Sequence, residues 1–144
     1  MSRSGAIAQI DTLLSTISSP AFVAVMRGEP LAIAGTPLLA YWIEGRSPKA
    51  VTFTNAGSTT TFSIRAYFRV QTSPDIRESV ELELWDTMYQ IEAALLGDAD
   101  LGGNVSDSRF GDGTAGYVTM GGNVFRTLTV PYEVDILEDV TIAP

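Results

Sequence analysis

Three groups of residues have types and spacing that could do chemistry. Gly111-Asp112-Gly113-Thr114-Ala115-Gly116 matches the dinucleotide-binding pattern G-x-G-x-x-G. That chemistry needs a strand before the glycines and a helix after them, so that pyrophosphate meets free helix N–H groups. The residues that follow, Tyr117-Val118-Thr119-Met120, are β-prone, and the glycines read as a hairpin tip instead. Asp98, Asp100 and Asn104 supply oxygens in the manner of a calcium loop. Counted from Asp98, the sixth position is Gly103, as an EF-hand requires, but the twelfth is Arg109 where a bidentate glutamate belongs. No metal is expected there. Glu78, Glu81, Glu83, Asp86 and Glu92 could provide a carboxylate pair for acid–base work, yet they share one helix and read as its solvated face.

What the chain lacks is as informative. It has no histidine and no cysteine, which removes the usual general base, the thiol nucleophile and the commonest zinc ligands. A Ser–Lys pair would have to use the only lysine, Lys49. No catalytic residue and no cofactor are expected. The formal charge is −8, so a clamp that neutralises phosphates is excluded, and an acidic surface would repel DNA. Nothing reads as a secretory signal, since Asp11 interrupts the first apolar segment. The apolar stretch from Ala21 to Ile43 contains Arg27, Glu29 and turn residues, so it reads as buried strands rather than as a membrane span.

The elements that position these residues follow from periodicity. Ile7, Ile10, Leu14 and Ile17 make the apolar stripe of a short N-terminal helix that ends at Ser19-Pro20. Strands are predicted at Phe22–Met26, Leu38–Ile43 and Val51–Thr54. From Thr59 to Val70 the alternation is strict: Phe62, Ile64, Ala66, Phe68 and Val70 on one face, Arg65, Tyr67 and Arg69 on the other. Ser73 as N-cap and Pro74 at the first helical position open a long helix, which Gly97 stops. Val105–Phe110 and Tyr117–Met120 read as strands around a mobile Gly111-Asp112-Gly113 tip. Gly121-Gly122 then turns into a final strand, where Pro131 marks an edge or a bulge. The expectation is a single α+β domain spanning 1–144. Its sheet is mostly antiparallel, with the N-terminal and long helices on one face and a protruding glycine-rich hairpin or arm at about 98–122.

The long helix has two apolar stripes where a helix lying on a sheet needs one. Ile76, Val80, Leu84, Met88, Ile91 and Leu95 form the expected core contact. Leu82, Trp85, Tyr89 and Leu96 form the second, which is covered either by the N-terminal helix or a loop, or by another subunit, where Trp and Tyr are enriched as anchors. Burial of Trp85 and Tyr89 in an isolated chain would rule out the subunit. Arg65, Tyr67 and Arg69 would line a channel, pair with a neighbouring subunit, or simply meet solvent.

The order of elements resembles that of the tail terminator (tail completion) proteins of long-tailed bacteriophages. The likeness is carried by the helix at Ile7–Ile17, the strand Pro37-Leu38-Leu39-Ala40-Tyr41-Trp42, the strand–helix pair from Thr59 to Leu96, the run Asp100-Leu101-Gly102-Gly103-Asn104-Val105, and the closing strand Phe125-Arg126-Thr127-Leu128-Thr129-Val130-Pro131-Tyr132-Glu133-Val134. It is mainly architectural and covers nearly the whole chain. The resemblance implies a homohexameric ring in the virion neck that stops polymerisation of the tail tube protein and docks on the head connector or stopper protein. DNA would pass through the lumen without specific binding, and no membrane is involved. Asp100, Leu101, Asn104, Arg109 and Phe110 would make axial contacts from the arm. Competing readings are a neck stopper ring, a small-ligand or carbohydrate-binding module, and an enzyme using a carboxylate pair.

Overall fold

The computed structural model describes residues 2–51, 55–70 and 74–139; side chains at 49–51, 55–56, 74–77 and 138–139 are outside that description. The predicted segment Val51–Thr54 and the cap Ser73 therefore lie almost wholly outside it.

Helix α1 (Arg3–Leu14) starts at Ser2, whose hydroxyl accepts from the Gly5 amide at 2.9 Å, an N-cap bond. It buries Ala6, Ile10 and Leu14. Three strands follow, then the second helix: β1 (Ala24–Arg27), β2 (Leu38–Val51), β3 (Asn55–Arg69) and α2 (Pro74–Leu96). The chain closes with β4 (Asp107–Phe110), β5 (Thr114–Met120) and β6 (Asn123–Asp139). The strands form one sheet in the order β1-β2-β3-β6-β4, with β5 also on β6. All pairings are antiparallel except β1 with β2, so the fold is α+β with a mostly antiparallel sheet.

Period-two alternation decides what each face carries. Leu39 and Tyr41 of β2, Phe62, Ile64, Ala66 and Phe68 of β3, and Leu128, Val130, Tyr132, Val134 and Ile136 of β6 all point to the helices, where they meet Leu84, Ile91 and Leu95 of α2. Each such fully buried aliphatic side chain contributes about 1.5–3 kcal/mol. Tyr41 is buried in this layer and donates its hydroxyl to Asp11 of α1 at 2.9 Å, tying the helix to β2.

Four expectations need correction. The segment 98–122 is not a protruding arm. Leu101 and Val105 are buried in the main core, and β4 and β5 both pair along the same edge of β6. Gly111–Gly113 is likewise not a hairpin tip. Phe110 pairs with Tyr132 and Thr114 with Thr129, so three residues stand opposite two, Val130 and Pro131: a bulge. A Cβ on Gly111 would come within 3.2 Å of the Pro131 ring, which explains a glycine at that point. Pro131 thus marks a bulge in a central strand, and the true hairpin is β5–β6, with Gly121 and Gly122 at φ of 59° and 80°.

The other two corrections concern exposure. Tyr67 is fully buried because the face opposite the helices is partly covered: Leu38, Ala40, Tyr67 and Phe125 form a second small core, on which Ile33 from the β1–β2 connection packs. Conversely, Ala21–Ile43 is not uniformly buried. Its strand β1 is a sheet edge, and Val23, Met26, Leu31 and Ile43 are exposed.

A candidate subunit-contact surface on the long helix

Leu82, Trp85, Tyr89 and Leu96 are 68%, 47%, 67% and 56% exposed, whereas Leu84, Ile91 and Leu95 on the same helix are fully buried. At about 100° per residue, Trp85 and Tyr89 lie roughly 100–140° from Leu84. Thr87, on the other flank, is buried, with its hydroxyl returned to the Glu83 carbonyl at 2.7 Å. α1 packs against α2 and against β1. It leaves the aromatic flank uncovered.

That flank looks toward the β5 edge of the sheet. One turn before Trp85, Glu81 accepts from Arg126 of β6 through both carboxylate oxygens, at 2.6 and 3.0 Å. Arg126 also donates to the Gly116 carbonyl at 3.1 Å, and its guanidinium lies 4.5 Å over the Tyr117 ring of β5. Tyr117 is exposed, so Tyr117, Arg126, Glu81 and Trp85 make a continuous surface from sheet to helix. Sequence reading missed Tyr117; its spacing in β5 is the signal, since Arg126 is its partner in the ladder.

The bidentate Arg126 guanidinium holds the Glu81 carboxyl below the usual carboxylate range. A carboxylate whose folded pKa is depressed adds stability that is fully present above the unfolded value and lost as pH falls through the folded one. Glu81→Gln should therefore remove part of the loss of stability on acidification below about pH 4.5, a range set by ordinary carboxylates. Denaturant midpoints measured across that interval for both proteins check it, and identical pH profiles would contradict it.

The channel candidates separate. Arg65 is largely enclosed: it donates to Thr129 at 2.9 Å, lies 5.1 Å over Trp42, and faces Glu29 at 3.9 Å. Tyr67 is buried beneath Ile33, and its burial pushes its hydroxyl pKa up. Arg69 is exposed and lines an open cleft of about 550 Å³ between Ile33–Thr36 and Gly122–Phe125. Among the described residues that line the cleft, Arg69 is the one ionisable side chain and there is no carboxylate pair.

The axial-contact candidates are also not one site. Leu101 is core, and Phe110 packs on Tyr132 with ring centroids 4.9 Å apart. Arg109 bonds Glu133 at 2.9 Å and Asp135 at 3.1 Å, on the face away from the helices. Asp100 is exposed and Asn104 half-buried. Of the residues that suggested calcium, Asp98 has both carboxylate oxygens bonded within the chain. Asp98 accepts from the Gly102 amide at 3.2 Å and from Gln9 at 2.9 Å, and the Gly102 bond leads in lowering its pKa. The Asn104 amide donates to the Leu101 carbonyl.

No helix among the described residues is long and apolar enough to cross a membrane. No known family model matches this chain, and no curated protein is significantly similar to it in sequence.

Proposed function

We propose that this chain is a structural subunit of a ring in a phage tail or neck, capping the tail tube and joining it to the head connector. The observation that carries the subunit reading is the uncovered stripe Leu82-Trp85-Tyr89-Leu96, on a helix whose other stripe already supplies the core contact. Exposed aromatics clustered on one helix flank are what protein interfaces use as anchors. The tail assignment is drawn from the resemblance in element order that the sequence carries. The charge of −8 suits a lumen that must pass DNA without holding it. Arg65, Arg109 and Arg126 are each engaged by acceptors within the chain, so they add little free positive charge for DNA to meet.

The reading excludes catalysis, and the absence of histidine and cysteine supports that. The test is a mixing experiment with polymerising subunits of the cognate tail tube. The expected result is tubes of restricted length with one extra density at one end in electron micrographs. Unrestricted tubes with bare ends would reject the capping role.

A further inference from the structure

Two apolar surfaces of different shape occupy opposite edges of the sheet. One is the α2 flank beside β5, convex and aromatic. The other lies at β1, which is four residues long, so beyond Arg27 no strand among the described residues pairs with β2 on that side. Where β1 stops, a cleft of about 440 Å³ opens among Ile7, Tyr41, Trp42, Ile43 and Phe62, with Arg27 on its rim. A second apolar cleft of about 430 Å³, lined by Val23, Met26 and Leu38, sits along the same edge. Both volumes fall in the range of pockets that accept a large side chain.

Charge also distinguishes the two edges. From Glu78 to Leu96 the helix carries five carboxylates and no cation. At the β1 edge the exposed cations are Arg27 and Arg46, and pairing of Arg46 with Thr60 puts it on the same face as Ile43, which pairs with Phe62. The carboxylates nearby have partners in their own chain: Glu44 accepts from the Trp42 indole at 2.6 Å, Glu29 faces Arg65 at 3.9 Å, and Asp11 lies 3.7 Å from Arg27, which leaves Arg46 as the cation with more free charge to offer.

We propose that the β1-edge cleft receives the α2 flank of a second copy of this chain, with Trp85 entering between Tyr41 and Ile43 and the acidic helix facing Arg27 and Arg46. The contact is head-to-tail. A two-fold contact through α2 would instead set Glu78 and Glu92, which lie within about 20° of Trp85 around the helix, against their own copies, and like charges across an interface are penalised. Head-to-tail contacts leave one free surface of each kind on every open oligomer, so they propagate, and they stop where the rotation between copies closes a ring. This deepens the subunit reading and rests on it.

The cysteine-free sequence makes the test clean. Asp86→Cys places a thiol beside Trp85, and Arg46→Cys places one beside the cleft. Each variant, alone and mixed, is treated with a short bis-maleimide at its highest soluble concentration. The expected outcome is a cross-linked dimer in the mixture and none from either variant alone, while a chain carrying both thiols gives a ladder. A dimer from Asp86→Cys alone, or no product in the mixture, would overturn the proposal. Cross-links without tube capping would remove the tail assignment and leave this contact standing; capping without cross-links would do the reverse.

Discussion

Leu101→Ala is expected to lower the unfolding free energy by about 2–5 kcal/mol, a cost typical of truncating a fully buried leucine. Leu101→Gly should cost no more than that. The usual order, in which alanine is the milder change, is overridden by the backbone. Leu101 is buried with φ of 49°, in the left-handed region that L-residues adopt at a cost of about 1–2 kcal/mol. Alanine keeps that strain and loses the side chain, whereas glycine loses the side chain and releases the strain. The position persists as leucine because burying its side chain, worth about 1.5–3 kcal/mol, offsets the strain. Gly102 and Gly103 follow at φ of 68° and 83°, so the turn demands three successive left-handed residues. The Asp98 carboxylate, bonded to the Gly102 amide, and Asn104, bonded to the Leu101 carbonyl, hold it closed. Urea titrations of the two variants check the order. Removal of 98–122 as a block should abolish cooperative unfolding, because it takes away β4, β5 and two core residues together. A deletion that stays folded would mean the segment is the detachable arm its composition suggested.

That segment shows where sequence reading succeeds and where it stops. The helices and the alternating strands were legible because period 3.6 and period 2 are local properties, and burial of Ile10, Leu84, Phe62 and Val130 follows from them directly. Glycine content is local too, but it does not distinguish a mobile tip from a bulge. The difference lies in pairing, which depends on residues elsewhere: Gly111 is fixed by Pro131, twenty positions on, and Thr114 by Thr129. The parallel β1–β2 pair was illegible for a similar reason. Its connection, residues 28–37, is short for a crossover and contains no helix, and it places Ile33 over Tyr67. Composition cannot say which face a ten-residue loop will cross. The second stripe on α2 was the opposite case. Its existence was read from spacing, and its exposure needed only the placement of α1 against the other flank.

Substituting the exposed stripe should separate association from folding, and this is the second large effect. Tyr89→Ala is expected to change monomer stability by less than about 0.5 kcal/mol, as for other surface positions, because two thirds of the residue is exposed. Trp85→Ala should cost more, about 1–2 kcal/mol, since half of its large ring packs down on the helix and its neighbours. For self-association the expected losses are far larger than these. Truncating a buried aromatic anchor weakens an interface by about 2 kcal/mol or more, which is roughly 30-fold in affinity. Sedimentation over a concentration series, run beside urea denaturation, gives both quantities for each variant. Unchanged association with intact folding would show that the flank meets solvent and nothing else. A loss of several kcal/mol in folding stability from Tyr89→Ala would show that the ring packs within its own chain. Between those limits the ratio of the two effects is the informative number. A side chain kept exposed in the monomer should affect association more than folding only if a partner covers it. The cleft at the β1 edge makes a parallel demand: Ile43→Ser should reproduce the association loss of Trp85→Ala, and combining the two should add little, because both remove the same contact.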